Sequence, residues 1–193
     1  MTEIPLSYQK YGTKLNLALK NLDYQSVIAL ESKMMEALLS QKQVFIFGNG
    51  GSAANAMHIA NDFIYGIRKE MGGALRINAL PANTSVITCL ANDEGYDQIF
   101  VRQLSNLANH DDLVIALSGS GNSKNIIEAI LWSNDKGLFT FSILGFDGGD
   151  AKKISRASIH TPVNDMQISE DLQLIISHMI MQSMCNRLNN NIT

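Results

Sequence analysis

His58 and Asp62 stand four residues apart, and a second acid and base, Glu170 and His178, stand far along the chain. On a helix, residues at i and i+4 share one face, so His58 and Asp62 present an imidazole and a carboxylate side by side. Such a pair can move a proton between a carbon next to a carbonyl and the carbonyl oxygen: one group acts as base at carbon, the other protonates or polarises oxygen. The same four side chains are competent ligands for a divalent metal such as Zn²⁺. Helical geometry limits that second use. Eight residues separate Glu170 from His178, about 12 Å along an axis and about 80° around it, so one ion reaches both only through long side-chain spans, a bend or another subunit. The competing reading is that i, i+4 acid and base pairs are common on exposed helix faces and that a single helical histidine is a surface or core residue. His110 and His160 have no partner that suggests chemistry and read as surface residues.

Two glycine- and serine-rich segments could hold an anion near those groups. Gly48-Asn49-Gly50-Gly51-Ser52 follows an apolar run and opens a helical one. Glycines there let backbone approach a ligand, and the free N–H groups of the following helix attract negative charge. Purely steric reasons also place glycines at such turns. Ser118-Gly119-Ser120-Gly121-Asn122-Ser123 repeats the arrangement with three hydroxyls on a glycine-supported turn, the composition of a phosphate cup without a cation. Neither segment ends in Gly-Lys-Ser/Thr as a P-loop does, and neither has the spaced glycines of a dinucleotide fingerprint.

The elements that must position these residues alternate in type. Short continuous apolar runs at 44–47, 75–80, 113–117, 139–144 and 159–163 read as strands buried on both faces. Helical stretches lie between and after them, at about 52–68, 84–90, 96–108, 123–136, 151–155 and 168–188. This alternation predicts an α/β fold, a parallel sheet of five strands between two helical layers, with ligands outside the carboxyl ends of the strands. Apolar positions at helical spacing before residue 41, with a break between 21 and 26, predict two further helices; a two-sided apolar extension of that kind packs against a neighbouring subunit. Residues 189–193 read as a frayed tail, and 1–193 as one domain.

Composition agrees with a single globular unit: 46% apolar, 17% charged and a net charge of -3 over 193 residues. Scattered Lys and Arg leave no footprint for nucleic acid or an anionic membrane. No apolar run reaches spanning length. Two cysteines, Cys89 and Cys185, both in apolar segments, suit a reducing cytoplasm and read as packing residues.

Taken in order, Gly48-Asn49-Gly50-Gly51-Ser52, His58, Ala91-Asn92-Asp93-Glu94-Gly95-Tyr96, the 118–123 segment, Asp147-Gly148-Gly149 and His178 resemble the sugar isomerase (SIS) family over nearly the whole chain, and within it the phosphoheptose isomerase branch. The resemblance implies a flavodoxin-like three-layer α/β/α sandwich and a homotetramer with active sites at subunit interfaces. It implies a sugar phosphate, a heptose 7-phosphate, held by Ser52, Ser118, Ser120 and Ser123 with the glycines Gly50, Gly51 and Gly119, and by Asn49, Asp93 and Glu170 along the sugar. Asp62 and His178 take the positions of the proton-transfer pair, and His58, Asp62, Glu170 and His178 those of a zinc set found in some members. The chain departs from the family pattern at Asp62 and Glu170, where glutamate and glutamine are usual, at Gly119, where threonine is usual, and at Tyr65-Gly66, where Gly-Arg is usual. Members that bind the bacterial replication initiator, or that sense sugar phosphates without turnover, share the scaffold and form the competing readings.

Overall fold

The computed structural model describes residues 5–67 and 74–190. Two helices open it, α1 (Leu6–Lys20) and α2 (Tyr24–Leu39), and Asp23 starts the second by accepting a bond from the Gln25 N–H at 3.0 Å. Strands and helices then alternate: β1 (Gln43–Gly48), α3 (Gly51–Tyr65), β2 (Arg76–Ala79), α4 (Thr84–Asp93), α5 (Val101–Leu107), β3 (Leu113–Ser118), α6 (Lys124–Asp135), β4 (Phe139–Leu144), α7 (Gly149–Ile154), β5 (Ala157–His160) and α8 (Met166–Asn190). The five strands form one parallel sheet in the order β2-β1-β3-β4-β5, as the alternation predicts.

Strand side chains alternate between two buried faces. Val44, Ile46, Leu113, Ile115, Leu117, Phe141 and Ile143 pack with α2, α3 and α8; Phe45, Phe47, Val114, Ala116 and Leu144 pack with α6, α7 and the residues around α5. This explains why the strands read as unbroken apolar runs. Full burial of a side chain such as Phe45 contributes about 1.5–3 kcal/mol. α2 supplies six buried apolar residues to this core, so it belongs to the outer layer, whereas α1 buries none and only rests Leu15, Ala18 and Leu19 against it.

Order β2-β1-β3 makes β1 and β3 neighbours whose crossovers leave in opposite directions, α3 to one face and α6 to the other. The crevice at such a switch point is where open α/β sheets bind ligands. Both glycine-rich loops border it.

Several boundaries differ from the sequence reading. β5 runs over 157–160 rather than 159–163, because Ala157 pairs with Phe141 and Pro162, which lacks an N–H, follows too soon for the ladder to continue. The helix expected at 96–108 is a 3₁₀ turn at Tyr96–Gln98 and then α5, with Ile99 and Phe100 turned into the core between them. The tail is helical through Asn190, and residues 191–193, like 1–4 and the Arg68 end expected for α3, lie outside the described residues. Cys89 is exposed on α4, a helix without a buried residue, and so is not a packing residue; Cys185 is half-buried.

Candidate active site

The first loop reaches its turn at Gly50, whose φ of +55° and ψ of -123° suit only glycine, and α3 begins at the next residue. The Ser52 hydroxyl is buried and accepts a bond from Gln173 Nε2 at 2.9 Å. Asn55 Nδ2 donates to the Glu170 carbonyl and to Gln173 Oε1, both at 2.9 Å. These bonds fasten α3 to α8, and contacts advance along both helices in the same order. The Glu170 carboxylate lies against Gly51, where any Cβ would collide with it. Negative charge thus already stands at the α3 N-terminus, favourably for the helix dipole and unfavourably for a second anion.

Two turns further along α3, the same alignment brings three donor atoms together. His58 Nε2 lies 3.3 Å from Asp62 Oδ2, His178 Nε2 lies 3.2 Å from the same oxygen, and the two imidazole nitrogens are 3.2 Å apart. Among the described residues, Asp62 Oδ1 has only a long 3.4 Å contact from Asn61 Nδ2. Asp62 is half-buried, and both histidines reach solvent. Ligand atoms on a tetrahedral Zn²⁺ with bonds of about 2.0–2.1 Å stand about 3.3 Å apart, so the triangle fits such an ion with one coordination position left open. Glu170, at the level of Gly51, is outside the triangle; the rise of about 12 Å over eight residues separates it from His178.

On the second loop, Ser118 Oγ accepts from the Gly121 N–H at 3.0 Å and Ser120 Oγ from the Asn122 N–H at 3.3 Å, so both hydroxyls shape the turn. Ser123 begins α6 without a side-chain capping bond, which leaves its hydroxyl for a ligand. Gly119 packs beneath Met166, whose Sδ would lie 2.5 Å from a Cβ, so a larger residue there requires the methionine side chain to move.

Asn49 joins the two loops. Its carboxamide exchanges two bonds with Asn125 on α6, 2.9 and 2.8 Å, and its Oδ1 also accepts from the Tyr96 hydroxyl at 2.9 Å. Beside them is a cavity of about 170 Å³ lined by Asn49, Gly50, Thr84, Tyr96 and their neighbours. Asp93 does not line it. It stands exposed at the end of α4, accepting from Asn92 Nδ2 at 2.7 Å and from the Cys89 thiol at 3.5 Å, a bond that raises the thiol pKa above its usual value. Tyr96, Asn125 and Gln173 therefore bond candidate site residues, and the sequence reading did not name these three among its candidates. Gln173 carried a signal, one helical turn after Glu170; Asn125, 2% exposed, carried another as a polar residue in the first turn of α6.

The chain is 35% identical over 173 residues to a probable phosphoheptose isomerase of Thermoplasma acidophilum, covering 90% of this chain and 93% of that one. It is 36% identical over 147 residues to a phosphoheptose isomerase of Helicobacter pylori, 76% of each. Its fold superposes on the structure of a phosphoheptose isomerase from Francisella tularensis with a TM-score of 0.86 at 22% identity, covering 93% and 95% of the two chains. For that of Neisseria gonorrhoeae the TM-score is 0.83 at 25% identity, with 92% and 94% covered. With residues 7–145 also matching the SIS domain, the chain belongs to the SIS domain family.

Proposed function

We propose that this protein is an aldose-ketose isomerase that interconverts sedoheptulose 7-phosphate and D-glycero-D-manno-heptose 7-phosphate through an enediol. The observation that carries the reading is the contact between Asp62 and His178, a carboxylate and an imidazole delivered by two helices to one point beyond the phosphate-type loops. Relatives at 35–36% identity over most of the chain bear the name phosphoheptose isomerase. A protein that only binds the replication initiator or senses a sugar phosphate has no need of a proton-transfer pair.

The phosphate is anchored at the α6 loop by Ser120, Ser123 and the N–H groups of the first turn of α6, with the buried Ser118 shaping the turn; the Glu170 carboxylate beside Gly51 makes the α3 end the sugar end instead. Asn49 and Tyr96 orient the chain of hydroxyls, and anchorage at the far end holds the reacting carbons in place. Asp62 Oδ1, the oxygen left free of the histidines, takes the proton from the carbon beside the carbonyl, and His178 passes a proton to the carbonyl oxygen. Zn²⁺ held by His58, Asp62 and His178 would occupy His178 Nε2 and would supply Lewis-acid polarisation of that oxygen in place of the proton from His178. The assembly is a homotetramer in the cytoplasm, and its product feeds activated-heptose or lipopolysaccharide synthesis; among the described residues no helix is long and apolar enough to cross a membrane.

Purified protein incubated with sedoheptulose 7-phosphate and followed by NMR is expected to yield the aldose, with loss of activity on chelation and recovery on adding Zn²⁺. Phosphate binding with no turnover under either condition would overturn the isomerase reading.

A further inference from the structure

His160 was expected on the surface without a role, yet it is half-buried at the end of β5 with both ring nitrogens engaged. Nδ1 faces Lys152 Nζ at 2.9 Å, and Nε2 faces the Phe146 carbonyl oxygen at 3.0 Å. An ammonium only donates and a carbonyl only accepts, so these partners fix the ring as the neutral tautomer with its proton on Nε2. The carbonyl it holds belongs to a residue with φ of +44°, a left-handed conformation that costs a phenylalanine energy and persists only where neighbours enforce it. The Phe146 N–H is held too, donating to the Val163 carbonyl at 3.1 Å.

Phe146 lies in the segment on which the second loop rests. The Gly145 N–H donates to the Gly119 carbonyl at 3.0 Å, the Ala151 N–H to the Gly121 carbonyl at 2.9 Å, and the Asp150 N–H to Asn122 Oδ1 at 3.0 Å. Gly121, with φ of +68°, sits so close to the Gly148 carbonyl that no Cβ fits between them. The conformation of the loop that presents Ser120 and Ser123 is therefore set by residues 145–151, and that segment is tied to the sheet through His160.

We propose that His160, oriented by Lys152, is a positioning residue for phosphate binding: by holding the Phe146 carbonyl it keeps the 145–151 brace in place, and the brace keeps the 118–123 loop in its anion-binding form. The inference rests on the reading of that loop as the phosphate anchor, not on the identity of the sugar.

The test uses the full-length protein, inorganic phosphate as probe by calorimetry and as competitive inhibitor, and sedoheptulose 7-phosphate as substrate. His160→Ala is expected to raise KM and the phosphate Ki together, each about tenfold, with kcat within about twofold, the pattern of lost ground-state anchorage. His160→Gln, which retains a donor near the Nε2 position, is expected to recover most of the loss. Lys152→Met, an exposed change that leaves the fold intact, is expected to shift both constants in the same direction by a smaller factor and decides the matter if His160→Ala does not fold. Unchanged KM and Ki in a folded variant overturn the proposal, as does a fall in kcat alone. Wild-type protein that binds phosphate without turnover sinks the isomerase reading and leaves the brace standing; wild-type protein that binds no phosphate sinks both.

Discussion

Asp62 uses its two oxygens differently: Oδ2 contacts both histidines, while Oδ1 has a long contact with Asn61. Removing the charge or the imidazole removes one half of the proton transfer. Asp62→Asn and His178→Ala are each expected to lower kcat by at least about 10²-fold with phosphate affinity unchanged, read from steady-state kinetics beside phosphate titration. Activity within a few-fold of wild type in either variant would remove that residue from the mechanism. The i, i+4 relation of His58 and Asp62 was legible because helical periodicity is a local property. The arrival of His178 beside Asp62 was legible only through the family resemblance, since it depends on how α8 lies against α3, which no local spacing records. That same packing sets Glu170 beside Gly51 and out of the metal triangle, as its eight-residue distance from His178 on a straight helix requires.

α8 carries both ends of the site, and its start is secured by Asp165. This side chain accepts from the Ile168 N–H at 3.3 Å and from Lys14 Nζ at 2.7 Å, so it caps α8 and ties α1 to it. The lysine bond, then the backbone bond, hold the Asp165 carboxyl below its usual pKa. A depressed folded pKa means the stabilisation is fully present above the ordinary aspartate range and is lost as pH falls through the lower folded value. Asp165→Ala is therefore expected to cost about 1 kcal/mol in chemical denaturation at pH 7 and clearly less at pH 2–3. An equal cost at both pH values would contradict the capping account. Tyr11 makes the second tie, donating to Asp171 at 2.5 Å, and that bond is the main cause raising its phenol to about 12, so this contribution persists to pH 10 and is lost only as pH rises through about 12. At this scale the sequence was most informative where pattern and packing coincide: β4 falls at 139–144 as its apolar run predicts. It was least informative where one backbone group decides, as at Pro162 after β5.

Across the whole molecule, alternation of strands and helices predicts a parallel sheet, but strand order is a matter of long-range pairing that no local pattern records. The order β2-β1-β3-β4-β5 is what makes the two glycine-rich loops neighbours. One surface is unaccounted for within a single chain. α1 leaves Leu6, Tyr8 and Leu17 more than half exposed and buries nothing fully, although it spans 15 residues. The homotetramer reading predicts a mass of four chains by light scattering, and conversion to smaller species when Leu17 and Tyr8 are changed to Glu. A wild-type monomer that isomerises at full rate would contradict it.

The central claim is that Asp62 moves a carbon-bound proton, and hydrogen exchange with solvent tests it most directly. Wild-type protein turning over sedoheptulose 7-phosphate in D₂O is expected to place deuterium on the carbon beside the carbonyl, and Asp62→Asn is expected to lose that incorporation while still binding phosphate. Isomerisation without deuterium, or incorporation untouched by Asp62→Asn, would contradict the account.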